Sequence, residues 1–468
     1  MIALFLFACA GSGDPGEGEG RDSSGASVPC DADVDVEVSA TGMGNVPRLT
    51  WDSAEAVATR VRFSNGAEVT RETVLSVATT THDAVLVGVL PSVDFTWEIL
   101  EVDGDAERCV ASGTATNGPL PAGVPEVTAT VAGGASAGLT VAPVLAGAPQ
   151  TDNWLMIFDE QGRVVWAYEA SAGEGGAVFV TTAAFANDGS GILYNAAAVG
   201  ADSPGWIAKV SFAGEFQKLA EVNGLHTDFV EMDEGRIASL TWEVRQVGEW
   251  RLLGDHVVVI EADGSSRSIW NSFDSVPFVE DGDWVEGFYV PDPTVADWSH
   301  VNSVTWNAAA NALMITMTAQ DGVAKINAET GEMSWLYGDE VGAFGGSPGL
   351  TEAPHSAELL DDGHVLVFNR GDFLHDPINA CSWAAELSVD AGTGAMTEVA
   401  RWESAGCTLV TYLGSARRLP GGTTMVDWTS AGRIDQLTAA DEAAWSVALS
   451  AGHAFGYADF LPLPAAGP

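Results

Sequence analysis

The chain has 468 residues, and its 65 Asp and Glu against 19 Lys and Arg give a formal net charge of −46. That balance argues against nucleic acid or an anionic membrane surface as the natural partner, because both need clustered Lys and Arg to displace counterions. A charged fraction of 18% beside 46% hydrophobic residues is too apolar for a disordered acidic protein, so the chain carries a large folded core and its acidity fits a salty or extracellular setting. An anionic small substrate would need a local cationic or hydrogen-bond-donating pocket.

The first element is the apolar run from Ile2 to Ala8, ending in LFAC, a small-residue approach to Cys9 that resembles a bacterial lipoprotein processing site. The run is much shorter than the roughly 20 residues that span a bilayer. It also lacks a basic n-region, so a late start codon or a chance match stays open beside lipid attachment at Cys9. Residues 1–29 are read as a lipoprotein-type signal and a flexible acidic Gly/Ser tether, since GSGDPGEGEGRDSSGAS cannot bury apolar surface. Four cysteines remain. Cys30 with Cys109 and Cys381 with Cys407 is the preferred pairing, giving two local disulfides in an oxidising compartment; the other connectivities and four buried thiols stay open. No other stretch is long and apolar enough to cross a membrane. The expected location is a bacterial cell envelope, periplasmic or extracellular, with a lipid anchor if Cys9 is acylated.

From Cys30 to Asn117 short β-rich runs alternate with turn residues, as in VDVEVSATGMGNVPRLTW, ATRVRFSNGAEV and VDFTWEILEVDG. This spacing predicts a small antiparallel sandwich over 30–117. LTW at 49–51 and LPSVDFTWEI at 90–99 resemble a fibronectin type III domain, with the Trp and aromatic between the sheets. The sandwich would space the protein from a membrane or pair subunits into an oligomer. His82 lies here and reads as a surface or loop histidine.

NGPLPAGVPEV opens a Pro/Gly-rich linker over 118–137, and residues 138–468 repeat. A strand, a Gly- or Asp-containing turn and a strand that often ends in Trp recur as LMIFDEQGRVVW, IAKVSFAGEFQKL, VVVIEADGSSRSIW, VAKINAETGEMSW, AAELSVDAGTGAMTEVARW and RIDQLTAADEAAW. A second hairpin lies between successive copies, in AFANDGSGILYNAA, FVEMDEGRIASLTW, SVTWNAAANALMITM, AELLDDGHVLVFNR and RRLPGGTTMVDW. Two hairpins per unit make a four-stranded blade, and six such blades bury both faces economically by radial packing. The predicted fold is therefore all-β, a six-bladed β-propeller preceded by the small sandwich.

Five histidines, His82, His256, His364, His375 and His453, share no context and read as loop or turn-edge residues. His226 in GLHTDF, His300 in DWSHVNSV and His355 in APHSAELL each stand just before the second hairpin of a blade. All three should therefore begin inner strands at one end of the propeller. Hairpin arithmetic places Thr318 opposite His300, Asn369 and Arg370 opposite His355, and Trp242 and Glu243 opposite His226. Trp242 and Glu243 could equally finish the channel wall. Imidazole forms covalent phosphoryl or sulfuryl adducts when donors neutralise the transferred oxyanion, and two further histidines could supply donors and protons. Three histidines could also hold zinc with an open position, but no HxH or HxxxH spacing occurs and no metal is assigned. G-x-S-x-G is absent, so Ser/His/Asp catalysis has no support.

At these residues the chain resembles the arylsulfotransferase family, the bacterial aryl-sulfate sulfotransferases that use no nucleotide donor. HTDFVEMDEGRI, DWSHVNSVTWNAAANALMITMTAQDGVAKINAETGEMSWLYG, PHSAELLDDGHVLVFNRG and GSARRLPGGTTMVDWTSAGRIDQL carry the resemblance, from about Gly138 to the C-terminus. It implies a six-bladed propeller without cofactor and a ping-pong transfer from an aryl sulfate to a phenol. His355 would attack sulfur and become a sulfohistidine, while His300 and His226 would stabilise the sulfuryl oxygens and handle protons. The family's S-x-R-x-Q strand end reads TMTAQ here, with Thr318 at the arginine position. Arg370, where the family reads DNG, could substitute, and Asn369 matches the family asparagine. A binding propeller that lost turnover with that arginine, or a histidine-metal hydrolase, would use the same scaffold. AKINAETGEMSW also resembles one repeat of pyrroloquinoline-quinone dehydrogenases, and its Trp is read as packing.

Overall fold

A computed structural model describes residues 30–463 apart from 31–33, 66–69, 147–151, 171–178, 279–284, 287–293, 339–348, 373–379, 391–394 and 404–405. Cys9, the tether and His375 lie outside the described residues. The chain is nearly all-β, built as seven sheets. Cys30 is bonded to Cys109 and Cys381 to Cys407, the preferred pairing.

The N-terminal sheet turns on one 18-residue strand, Pro47–Ser64. Its first half pairs with Val36–Ala40 and Thr79–Val85, and its second half with Thr70–Glu72 and Asp94–Asp103. Ala106–Thr116 completes that second layer. Alternating apolar positions of both halves face inward, so Trp51 and Trp97 pack with Leu49, Val61, Phe63 and Ile99. His82 departs from the sequence expectation, being buried at 3% exposure within Thr79–Val85. The pleat turns it onto Trp51, with ring centroids 4.9 Å apart. Hydroxyls of Thr59 (3.1 Å) and Ser53 (2.9 Å) satisfy its two nitrogens.

The other six sheets follow in chain order, and each expected hairpin forms. The first holds Gly138–Ala146, Asp152–Phe158 and Val164–Glu169; the second runs from Ala183–Phe185 to Phe216–Asn223. The third runs from Leu225–Glu231 to Ser266–Asn271, the fourth from Val301–Asn307 to Met333–Tyr337. The fifth runs from Pro354–Leu359 to Met396–Trp402, and the sixth from Ser415–Arg418 to Ala443–Leu449. In each of the last five the four strands of the two hairpins pair antiparallel in chain order, so the first strand lies at one edge; the third sheet adds Ala296–Asp297, parallel to Trp250–Ile260, and Val285–Glu286. These edge strands touch their neighbours from sheet to sheet, and the sixth sheet touches the first.

The recurrent Trp explains how the sheets lock. Trp166 donates from Nε1 to the carbonyl of Phe212 in the second sheet, Trp402 to Thr438 in the sixth, and Trp445 to Asp159 in the first. All three are buried, so each indole fills the space between sheets while its single polar atom is satisfied by the neighbouring turn. The last strands described and the segment ahead of Gly138 also join this set. His453–Phe455 and Asp459–Pro462 pair with Gly138–Ala146. Val127–Val131, inside the segment expected to be linker, pairs with Ala443–Leu449 as a fifth strand of the sixth sheet. Its alternating Val and Thr suit a strand; the flanking Gly and Pro masked that signal.

Candidate active site

His226 is the second residue of Leu225–Glu231, His355 the second of Pro354–Leu359, and His300 directly precedes Val301–Asn307. All three stand at the start of the edge strand of their sheet, as the sequence predicts. Each start is distorted in the same way. The hairpin register shifts between His226 and Phe229, between Val301 and Ser303, and between Pro354 and Ser356. A non-glycine residue with positive φ sits at each place: Thr227 (47°), His300 (45°) and Ala353 (45°). Such bulges re-aim side chains away from the pleat, and they leave His226, His300 and His355 at 1%, 3% and 0% exposure.

Two of the imidazoles lie beside buried carboxylates. His226 Nε2 lies 3.1 Å from Asp255 Oδ1, and its Nδ1 2.9 Å from Thr227 Oγ1. The other Asp255 oxygen accepts from Ser299 Oγ (2.5 Å) and the Val301 amide (2.9 Å), clamping both sides of His300. His300 Nδ1 is 2.8 Å from Asp297 Oδ2. Burial raises the Asp297 carboxyl, while His300 and His226 pull it down and Asp255 pushes it up. His355 is hydrogen-bonded through Nδ1 to the Tyr457 hydroxyl, and among the described residues its Nε2 has no hydrogen-bond partner. Burial first, then the positive charges of Arg370 and His300, hold His355 well below the ordinary imidazole range.

The predicted neighbours come together except at one hairpin. The Thr318 amide donates to the His300 carbonyl (3.1 Å), and Pro354 faces Asn369. Arg370 is 1% exposed and donates to Thr318 Oγ1 and the Thr411 carbonyl, both at 3.2 Å. Asn369 is buried and accepts from the Glu352 amide (3.1 Å), which ties the loop before His355. At His226 the bulge shifts the pairing, so that His226 faces Leu240 rather than Trp242 and Glu243. Trp242 instead stacks on His226, centroids 4.4 Å apart and planes at 10°. Glu243 is engaged elsewhere, by Arg245 (2.9 Å) and His256 (2.7 Å). His256 is thus a strand residue hydrogen-bonded to Glu243, not a loop one.

Four residues of this cluster were not picked out from sequence. Asp297 stands three before His300 in DWSH, a local signal that could have been read. Asn302, two after His300, is equally local, whereas Asp255 and Tyr457 come from Trp250–Ile260 and from between His453–Phe455 and Asp459–Pro462 and leave no such mark. Asn302 donates to Thr318 Oγ1 and to the Pro354 carbonyl (3.2 Å) and accepts from Thr316 (2.6 Å), tying the fourth sheet to the fifth.

The solved structures most similar in fold include a protein of unknown function from Bacteroides caccae, with 11% identity, 69% of this chain and 99% of that chain covered, and a TM-score of 0.42. A putative 6-phosphogluconolactonase from Bacteroides uniformis aligns at 11% identity over 69% of this chain and 99% of its own, TM-score 0.37. The calcium-binding protein regucalcin from Agrobacterium tumefaciens aligns at 13% identity over 70% and 95%, TM-score 0.36. No curated protein gives a significant match. The family model for Arylsulfotransferase (ASST) matches residues 127–401. It thus starts at the strand inside the expected linker and takes in all three histidines and Arg370, stopping before the sixth sheet. The chain belongs to the arylsulfotransferase family.

Proposed function

We propose that this chain is a six-bladed propeller carrying a fibronectin type III-like sandwich, and that it transfers sulfuryl groups from an aryl sulfate to a phenol through a sulfohistidine at His355. The observation that carries this reading is the state of His355: a buried, neutral imidazole whose Nε2 has no partner among the described residues, beside a buried guanidinium. In the first half-reaction the Nε2 lone pair forms a bond to sulfur. The S–O(aryl) bond breaks, its electron pair leaves on the aryl oxygen, and His300, with Asp297 behind Nδ1, gives that oxygen a proton. In the second half the acceptor phenol returns a proton to His300 as its oxygen bonds to sulfur, and the S–N pair reverts to Nε2. Arg370 takes the place of the family arginine at Thr318, its Nη2 lying on the Thr318 hydroxyl and its fork facing the charge that develops on the sulfuryl oxygens. His226, hydrogen-bonded through Nδ1 to Thr227, places Nε2 3.1 Å from Asp255, which in turn accepts from the Val301 amide beside His300.

The grouping of ligand atoms weighs against a histidine-metal hydrolase. Among the described residues, His, Cys, Asp or Glu ligand atoms gather within 4.8 Å only at Asp362, His364 and Glu386, away from the three histidines. The two disulfides support an oxidising, extracytoplasmic location, and a lipid anchor at Cys9 belongs to the same reading. Exposure to a chromogenic aryl sulfate without acceptor, followed by intact mass and peptide mapping, tests the proposal. One added SO3 on His355, removed by phenol, is expected; a binding-only protein would gain no mass and release no phenol.

A further inference from the structure

The Tyr457 hydroxyl is buried and sits among three polar groups. It lies 3.0 Å from the Asn302 carbonyl and 2.8 Å from the His355 carbonyl, and it is hydrogen-bonded to His355 Nδ1. The hydroxyl has one proton, and neither carbonyl can donate. If that proton went to Nδ1, both carbonyl oxygens would face hydroxyl lone pairs in a buried site. If it goes to a carbonyl, Nδ1 must carry its own proton and donate it to the tyrosine oxygen. The second arrangement makes two hydrogen bonds, Nδ1–H to the tyrosine oxygen and O–H to a carbonyl, where the first makes one, and is therefore favoured in this buried site.

The hydroxyl can impose this choice because its strand segment is fixed. The Tyr457 amide donates to Thr181 (2.7 Å), its carbonyl accepts from Ala183 (3.3 Å), and the Gly456 amide donates to Pro143 (2.8 Å). A side chain at Gly456 would collide with the Thr181 carbonyl and the Pro143 ring, so glycine lets the segment approach this closely. Asp459 accepts from the Phe185 amide (2.9 Å) and pairs with Arg417. The C-terminal segment thus bridges the first and second sheets and reaches across to the fifth.

We propose that Tyr457 is a positioning residue that holds His355 as its Nδ1–H tautomer and so keeps the Nε2 lone pair directed at the group to be transferred. The assignment rests on the sulfuryl-transfer reading for its purpose, but not for its observable. Tyr457 touches no reacting atom; it acts through the imidazole, as the carboxylate behind a catalytic histidine does, where the wrong tautomer lowers turnover by up to about 10⁴-fold.

The test is 15N NMR of full-length protein labelled at histidine, with the His355 signals identified by their loss in His355→Asn. The expected spectrum shows protonated Nδ1 and unprotonated Nε2. In Tyr457→Phe, the same signals should move to a mixture of the two tautomers, with kcat down at least about tenfold and KM within about twofold. A wild-type Nε2–H tautomer overturns the proposal even if Tyr457→Phe does not fold. An unchanged Nδ1–H tautomer in Tyr457→Phe overturns it as well. The expected tautomers in a protein that never acquires SO3 would sink the sulfuryl-transfer reading and leave the tyrosine's role standing.

Discussion

Arg370 is the sharpest point at which to perturb the site. In the proposed function it stands in for the family arginine, and its guanidinium bonds Thr318 while its charge acts on His355. Truncation to Ala would remove that charge and leave the Thr411 carbonyl and Thr318 hydroxyl short of a donor, a stability loss of about 1–3 kcal/mol. Arg370→Met fills most of the volume and isolates the charge. Removing one preorganised donor from a developing oxyanion costs about 2.7–4 kcal/mol, hence about 10²–10³ in the rate of phenol release. Arg370→Lys keeps the charge without the fork, so its rate should fall between wild type and Met. Rapid-mixing measurement of phenol release, with thermal melts on each variant, separates chemistry from folding. A Thr318→Arg change in the Arg370→Ala background moves the guanidinium back to the family position and should restore part of the rate. If Arg370→Met releases phenol within threefold of wild type while melting normally, Arg370 has no place in the chemistry and the Thr318 exchange is uncompensated.

Three further outcomes follow from other groups. His355 is held well below the ordinary imidazole value, so the acid limb of single-turnover phenol release should fall below the unperturbed pKa of about 6.5; a limb at or above that value would mean His355 is not the neutral attacking group. Burial pushes the Asp228 carboxyl up to about 7 against hydrogen bonds from Val304, Thr182 and Phe229. Because the folded state then holds a proton that the unfolded chain releases from near pH 4, this group's stabilisation is full below about pH 4 and is lost as pH rises through about 7. Melting between pH 5 and 8 should show a shallower decline in Asp228→Asn than in wild type, and parallel curves would refute the shift. The Cys381–Cys407 bond closes a separation of 26 residues, and loop-entropy reasoning gives it about 3.5 kcal/mol. Urea unfolding of a Cys381→Ala/Cys407→Ala variant should show a loss of that order, and a change under about 1 kcal/mol would refute the entropic account.

The repeat was legible because its cause is local. Alternation, a turn residue and a terminal Trp each act within a dozen residues, and at Trp166, Trp402 and Trp445 the indole bonds the turn of the next sheet. The placement of His226, His300 and His355 at strand starts was legible for the same reason. Register was less so. At His300 and His355 simple counting came close, but at His226 two residues bulge out, and no local composition marks how far a strand will shift there. Tyr457 was invisible because its role exists only once the C-terminal segment pairs with Gly138–Ala146. Asp255 has its meaning through Ser299 and Val301, 44 and 46 residues away. The strand Val127–Val131 was hidden by flanking turn residues, and only pairing with the sixth sheet stabilises it.

A chain of net charge −46 should repel an anionic donor, and the fold answers this at the carboxyl groups as much as at Arg370. Burial raises Asp297 beside His300, takes Asp228 on the His226 strand to about 7, and pushes Asp427 well up where it meets the Ala458 amide. Each holds its proton more tightly than a solvated carboxyl because desolvation outweighs its hydrogen bonds. The buried guanidinium of Arg370 therefore acts against a weaker opposing field than the composition implies. Low dielectric then strengthens its pull on a sulfuryl oxygen, whereas the surface carboxylates are screened within about 8–10 Å by salt. The acidity of the exterior is compatible with the proposed anion-accepting site because burial, which favours the neutral form of an acid, leaves an arginine charged.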